Sequence, residues 1–229
     1  MSVSEVLSPL TETAETVVAN ATVEEQPRTR KRPKPGERRE QILQALAAML
    51  EKPGSDRITT AALAANLSVS EAALYRHFAS KAQMFEGLME FIEQSVFSLV
   101  QQVIGREGEN LEFTPEDGAR RAARIVAVVL QFAERNPGMV RVLIGDALLL
   151  ENDRLQVRMN QFYERIESTL RQCLRPAAGA LGSATPTVDA QVAASVLMSF
   201  VQGRLQRYVR TGFRRQPTEH LDASLGMLL

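Results

Sequence analysis

The sequence predicts an all-α protein of about nine helices, and three observations predict it. Apolar residues recur at spacings of three and four along most of the chain from residue 37 onward. Ala and Leu fill the apolar positions, whereas aromatic residues make up only 5% of the sequence, a mixture that favours helix over strand. No segment alternates apolar and polar residues as a half-buried strand does. With 229 residues, of which 45% are hydrophobic, the chain is long enough to bury a substantial core.

Charge divides the beginning of the chain into two short segments. Residues 1–27 contain five acidic residues and no basic residue, and residues 28–39 contain seven basic residues against Glu37 alone. Neither segment has a sustained helical period, and prolines interrupt the second one. We therefore interpret residues 1–36 as a disordered acidic tail followed by a basic arm.

Residues 37–104 predict four helices. A proline and a glycine end the first, Thr59 or Thr60 caps the short second, and a turn of small residues separates the third from a long fourth. The approximate bounds are 37–52, 59–67, 70–78 and 81–104.

Residues 114–229 predict five more helices. The run TPED at 114–117 is a strong start signal, because it places a cap, a proline and two acids at a helix N-terminus. The run NPG at 136–138 ends that helix, and the Ala, Gly and Pro of 175–186 predict a flexible loop. The approximate helix bounds are 115–135, 139–150, 153–174, 187–211 and 218–228.

The stretch SVSEAALYRHFASK at residues 68–81 has the features of a helix-turn-helix. Ser68 and Val69 turn the chain after the short second helix, and Ser70 caps the third. Leu74 and Phe78 are four residues apart and define the buried face of that third helix. Its opposite face is small near the start and large and polar near the end, a shape that fits the major groove of DNA. The alternative is a helical hairpin in an ordinary bundle, with the polar residues on a solvated face.

The outward-facing residues of this motif have chemistry suited to DNA. Alanines offer apolar contact with a thymine methyl group, and Glu71 can accept a hydrogen bond from a cytosine amino group. Arg76 can meet guanine or phosphate, and the other polar residues reach phosphates on the flanks. The full set of candidate DNA-binding residues is Thr59, Thr60, Ser70, Glu71, Ala72, Ala73, Tyr75, Arg76, His77 and Lys81, with Arg30, Lys31 and Arg32 of the basic arm.

Residues 37–85 resemble the TetR-type DNA-binding domain. Its signature is a T-x-x-x-L-A start, a V-S turn and an L-Y-x-H-F-x-S-K close; this chain has TTAALA at 59–64, VS at 69–70 and LYRHFASK at 74–81. Ser68 departs from the family, which usually has glycine there, so a positive φ would strain the serine by about 1 kcal/mol. The resemblance implies a DNA-binding domain at 37–96, with the helix-turn-helix at about 59–78, and a C-terminal helical dimerisation domain at 97–229.

From about residue 37 to 225 the chain is also similar to the SlmA-type nucleoid occlusion factors. The segments that carry this similarity include RITT at 57–60, ERNPG at 134–138, DRLQ at 153–156, ERIE at 164–167 and LRQ at 170–172. The resemblance implies a homodimer that binds palindromic chromosomal sites and, while bound, engages the C-terminal tail of the division protein FtsZ. It also implies that the FtsZ tail binds in a groove between the fourth and fifth helices. Carried over by position, the candidate FtsZ-binding residues are Phe91, Leu99, Val128, Arg135 and Asn136. Core packing is the open alternative for Phe91 and Val128, and for Arg135 the alternative is a charge that complements the helix dipole.

Geometry also favours a dimer, because one recognition helix reads only a few base pairs and specific sites are commonly bound by two copies. The helices predicted at 153–174 and 187–211 can pair with those of a second copy as a four-helix bundle. The candidate interface residues, on the apolar stripe of the second of these helices, are Val192, Val196, Phe200 and Leu205. Core packing within the chain is the open alternative, and both can hold on different turns of the helix.

The sequence is also compared with two other classes of function, a ligand-responsive repressor and an enzyme. A ligand-responsive TetR-type repressor would line a pocket with residues such as Met139, Met159, Phe162 and Tyr163, although at helical spacing such residues more often form core. An enzyme is disfavoured, because the sequence has no metal-ligand cluster, no nucleophile elbow and no glycine-rich phosphate loop. We expect no cofactor, no metal and no membrane span, in a cytoplasmic protein associated with the nucleoid.

Overall fold

The structure, a computed structural model, describes residues 36–52, 58–107, 115–149, 151 and 153–229. Within these ranges it contains nine α-helices and no strand, which confirms the all-α prediction. The helices are α1 (Glu37–Leu50), α2 (Thr60–Asn66), α3 (Glu71–Tyr75), α4 (Lys81–Glu107), α5 (Pro115–Arg135), α6 (Pro137–Leu143), α7 (Asp153–Ala180), α8 (Pro186–Arg210) and α9 (Leu221–Leu228).

Side-chain caps start the helices of the helix-turn-helix. The Thr59 hydroxyl accepts a hydrogen bond from the Ala62 amide at 3.1 Å, and the Ser70 hydroxyl accepts from the Ala73 amide at 3.3 Å. Each cap satisfies an amide that the helix itself leaves without a partner. Between the two helices Ser68 has φ +53°, so a strained serine occupies the left-handed position where TetR-type domains usually have glycine.

Helix α1 packs against the first half of α4 and against α2, and α2 packs against α3. Ile42, Leu46 and Leu50 of α1 are buried at four-residue spacing and form one face of this layer. Gly87 lets α1 come close to α4, because a Cβ at this position would lie 3.1 Å from the Leu43 side chain. A single hydrophobic core therefore continues from the recognition motif into the long α4 helix.

Helix α5 is the central element of the C-terminal half, and it lies against α4, α6, α7 and α8. Its Ile125, Val126, Val129 and Leu130 are almost wholly buried. Helices α7 and α8 form an antiparallel pair, joined across their surface by hydrogen bonds from Gln191 to Glu167 and from Arg171 to Gln191, both 2.8 Å long.

The predicted boundaries that differ most from the structure are the ends of α7 and α6. Helix α7 continues to Ala180, through Pro176, although the sequence predicted a loop from residue 175. Ala177 is buried there, so packing stabilises a turn in which the proline donates no backbone hydrogen bond. Helix α6 ends at Leu143, earlier than predicted, because Gly145 adopts φ +83° and a single turn of 3₁₀-helix follows at Asp146–Leu148.

None of the described helices is both long enough and apolar enough to cross a membrane.

Candidate DNA-binding and partner-binding surfaces

The recognition helix α3 presents a polar face to solvent above a fully buried anchor. Leu74 and Phe78 are each 1% exposed, as predicted from their four-residue spacing. Tyr75, Arg76 and His77 are exposed on the outer side, where they follow one another around the end of the helix. The arrangement gives a rigid base and a projecting surface, which is the geometry needed to enter the major groove.

Two of the candidate DNA-binding residues contact each other. The Thr60 hydroxyl donates a hydrogen bond of 2.6 Å to the Glu71 carboxylate. This bond ties the N-terminus of α2 to the N-terminus of α3 and holds the Glu71 carboxylate at the start of the recognition helix. Arg30, Lys31 and Arg32 of the basic arm lie outside the described residues.

Arg39 also belongs to this surface, although the sequence marked it only as part of the charge of the basic run. Arg39 lies on α1, and its guanidinium group donates to the His77 carbonyl oxygen at 3.3 Å. The same group stacks over the Phe78 ring at 4.3 Å from the centroid. An exposed cation is therefore fixed beside the end of the recognition helix. Its spacing from His77, 38 residues along the chain, gave no local signal.

Lys81, predicted to reach a DNA phosphate, has a partner inside the protein. Its ammonium group forms an ion pair with the Glu151 carboxylate, in the connection between α6 and α7. It also lies 5.7 Å from the centroid of the Phe85 ring. In this structure the Lys81 charge is paired within the chain, and its contact with a DNA phosphate stays a prediction.

The five candidate FtsZ-binding residues lie on two neighbouring helices and at the end of one of them. Phe91 of α4 is 47% exposed, an unusual position for a phenyl ring in this chain. Leu99 of α4 and Val128 of α5 are half-buried, and Val128 packs against the core. Arg135 is exposed at the C-terminus of α5, and the Asn136 side chain donates to the Phe132 carbonyl oxygen at 2.7 Å.

The end of α5 is held by the C-terminal part of the chain. The Tyr208 hydroxyl donates to the Glu134 carbonyl oxygen at 3.3 Å, and the Thr218 hydroxyl donates to the Glu134 carboxylate. Burial raises the pKa of Tyr208, and the nearby Glu134 and Glu51 carboxylates raise it further. Since Glu51 follows α1, the last turn of α5 lies beside both the DNA-binding half and the C-terminal segment.

The candidate dimer residues on α8 divide into two groups. Val192 is 58% exposed and Val196 is 46% exposed, while Phe200 is half-buried beneath the Arg204 guanidinium group, 4.8 Å from the ring centroid. Leu205 is wholly buried inside the chain, so its assignment to the interface was wrong. It is nine residues from Val196, which places it about 180° away on the helix, facing the chain's own core.

A groove of about 560 Å³ lies between α4 and α7. Its floor includes Phe97 and Phe162, which pack edge to face with centroids 5.5 Å apart. The Arg165 guanidinium group covers the Phe97 ring at 3.8 Å, and Arg158 is held by the Glu93 carboxylate through two hydrogen bonds of 2.9 Å. Arg158 and Arg165 thus interact mainly with other residues that line the groove.

The residues suggested for a small-molecule pocket are mostly parts of the core. Met159 and Phe162 are almost fully buried, and the Tyr163 hydroxyl donates to the Leu143 carbonyl oxygen at 2.9 Å. Met139 is half-buried against the same core.

Comparison with known proteins agrees with this geometry. Residues 42–88 match the model of the bacterial regulatory proteins of the tetR family, and residues 116–229 match a SlmA-like domain described as a tetracyclin repressor-like C-terminal domain. The nucleoid occlusion factor SlmA of Photobacterium profundum is 52% identical over 81% of this chain and 90% of its own length. The chain belongs to the SlmA nucleoid occlusion factors.

Further SlmA relatives extend the similarity. SlmA of Sodalis glossinidius is 50% identical over 84% of this chain and 93% of its own length, and SlmA of Vibrio cholerae is 48% identical over 83% and 93%. Because these regulators belong to a DNA-binding family, membership confirms that the chain is not an enzyme.

Solved structures show the same fold at low identity. The fatty acid degradation regulator FadR from Bacillus halodurans superposes with a TM-score of 0.64 at 14% identity, covering 86% of this chain and 96% of that protein. The TetR family regulator PfmR from Thermus thermophilus also gives 0.64, at 19% identity, covering 82% and 96%. At these identities the likeness concerns the fold alone, and it confirms the TetR-like architecture of this SlmA family member.

Proposed function

We propose that this chain is a homodimeric nucleoid occlusion protein, which binds palindromic DNA and, while bound, binds the C-terminal tail of FtsZ and blocks Z-ring assembly over the nucleoid. The observation that carries the proposal is the identity of about one half with SlmA proteins over nine tenths of their length. Such a protein works in association with the nucleoid, in the cytoplasm.

The DNA half of the proposal is supported by the outer face of α3. Exposed Tyr75, Arg76 and His77 stand on the buried Leu74 and Phe78, so the groups proposed to contact DNA are carried by a helix that its core residues hold in place. Small residues at the start of the helix let its first turn approach the base edges, and the larger cationic groups contact the sugar-phosphate backbone.

The FtsZ half of the proposal is supported by the exposed groups along α4 and at the end of α5. A peptide with apolar anchors would cover the half-exposed Phe91 ring and remove it from water. Its carboxylates would pair with Arg135, whose guanidinium group has the forked geometry that suits carboxylate oxygens. The contacts that hold Glu134 keep this end of α5 in place.

The dimer is supported by the outward face of α8. Val192 and Val196 lie one turn apart on one side of the helix, and a second copy that covered them would remove their apolar area from water. Two copies paired through α7 and α8 would form a four-helix bundle and present two recognition helices to a palindrome.

The deciding experiment mixes the purified protein, FtsZ and a palindromic duplex that the protein has itself selected from a random-sequence pool. Light scattering by FtsZ polymers is measured with the duplex, without it, and with a scrambled duplex. We expect the protein to suppress polymer formation, most strongly with the selected duplex. Unchanged FtsZ assembly under all these conditions would contradict the division role and leave a DNA-binding repressor as the better description.

A further inference from the structure

We infer that Glu151, a residue outside the helix-turn-helix, sets the DNA affinity of the protein by holding Lys81 in an ion pair. The inference rests on the DNA-binding half of the proposed function and is independent of FtsZ. It makes the connection between α6 and α7 a point where the C-terminal half acts directly on DNA binding.

The position of Lys81 is one where a phosphate is expected. It is the first residue of α4, immediately after the turn that follows the recognition helix. A reciprocal cap fixes this helix start: the Gln83 amide donates to the Ser80 hydroxyl at 3.2 Å, and the Ala79 amide donates to the Gln83 side chain at 2.8 Å. The N-terminus of a helix carries partial positive charge, so a backbone phosphate of the bound duplex fits beside it.

The Lys81 side chain is nevertheless turned toward the C-terminal half. Its ammonium group bonds to Glu151, 70 residues further along the chain, and the two side chains are 24% and 12% exposed. The Lys81 ammonium group also lies 5.7 Å from the centroid of the Phe85 ring. A lysine whose charge is neutralised by an internal carboxylate contributes little attraction to a phosphate, because the phosphate must compete with that carboxylate.

Two consequences follow from this competition. Removing the Glu151 charge makes the Lys81 ammonium available to the duplex, so binding becomes tighter. The pair is partly solvated, and ion pairs of that kind correspond to about a two- to fivefold change in an equilibrium constant. By reciprocity, a bound duplex that draws Lys81 away loosens the hold on the connection between α6 and α7.

The test is a double-mutant cycle on DNA binding, with Glu151→Gln, Lys81→Gln and the double variant. Affinity for the duplex selected by the wild-type protein is measured by fluorescence anisotropy over a range of salt concentrations. We expect Glu151→Gln to tighten binding about two- to fivefold when Lys81 is present, and to have no effect in the Lys81→Gln background.

A matched control separates this effect from general electrostatics. Asp153→Asn removes a nearby exposed carboxylate that is outside the pair, and any gain it causes should be the same with Lys81 present and in the Lys81→Gln background. Thermal unfolding of each variant provides the second readout. A purely structural role for Glu151 would lower the unfolding midpoint without tightening DNA binding.

The outcomes are distinct. A wild-type protein that selects no duplex contradicts the DNA-binding role itself. A wild-type protein that binds its duplex, with no gain in Glu151→Gln or with the same gain in the Lys81→Gln background, contradicts only the inference about Glu151.

Discussion

The backbone of Gly138, at the start of α6, lies directly against the carbonyl oxygen of Ala47 in α1. A methyl group at position 138 would stand 2.0 Å from that oxygen, far inside van der Waals contact. The candidate FtsZ-binding residues Arg135 and Asn136 precede this contact by only two or three positions in the chain, so the end of α5 is held close to the DNA-binding half. Glycine at 138 is what allows the two halves to approach this closely.

The first prediction concerns this contact. Gly138→Ala forces α1 and α6 apart, so we expect the free energy of unfolding to fall by about 2 kcal/mol or more. Denaturant unfolding followed by circular dichroism measures the change. Gly179→Ala is the matched control, because a Cβ there meets its nearest atom only at 4.0 Å, and alanine should leave the stability unchanged or raise it by up to about 1 kcal/mol. Equal stabilities of wild type and Gly138→Ala would show that the contact is not as close as described.

The second prediction concerns Arg39, which the His77 carbonyl oxygen and the Phe78 ring fix beside the recognition helix. We expect a cation in this place to contact the phosphate backbone, so Arg39→Gln should weaken binding of selected and scrambled duplexes by similar factors. The slope of log affinity against log salt should become shallower by about one unit. Arg175→Gln, on the far part of α7, removes the same charge away from this surface. A loss confined to the selected duplex would mean that Arg39 reads bases instead.

The third prediction separates the two proposed partner surfaces. Arg135→Asp reverses the charge at the exposed end of α5, so we expect it to leave DNA affinity intact while weakening the inhibition of FtsZ assembly at least about tenfold. Polymer light scattering and duplex anisotropy are measured on the same preparation. Arg175→Asp, an exposed arginine on a different helix, should affect neither. If Arg135→Asp abolishes both activities, Arg135 is structural.

The fourth prediction tests the dimer face. Val192→Asp places a charge on the outward side of α8, and a charge buried in an apolar interface without a partner costs several kcal/mol. We expect the variant to sediment as a monomer at concentrations where the wild type is a dimer, and to bind the palindrome more weakly. Leu149→Asp is the control, because Leu149 is 78% exposed but does not belong to α8. If Val192→Asp remains a dimer, the interface lies on another surface.

Local signals in the sequence were sufficient for the recognition motif. The caps at Thr59 and Ser70 and the buried pair Leu74 and Phe78 follow from residue types within one or two helical turns. The positive φ of Ser68 was suggested by the resemblance to TetR-type domains, which usually have glycine at this position. Such features depend on backbone stereochemistry and on helical period, both of which are encoded locally.

Tertiary packing decided the rest, because it depends on which distant residues meet. Sequence placed Lys81 beside a phosphate, and only the fold brings Glu151 to it from 70 residues away. The helical period predicts one apolar stripe along α8 from Val192 to Leu205. Packing determines that Leu205 faces the core while Val192 faces outward. The sequence by itself therefore determined what kind of helices form and where the recognition motif lies. The tertiary structure decided which charges are paired inside the chain and which of the faces proposed for DNA, a second copy and FtsZ remain exposed, since those outcomes depend on contacts between residues far apart in the sequence.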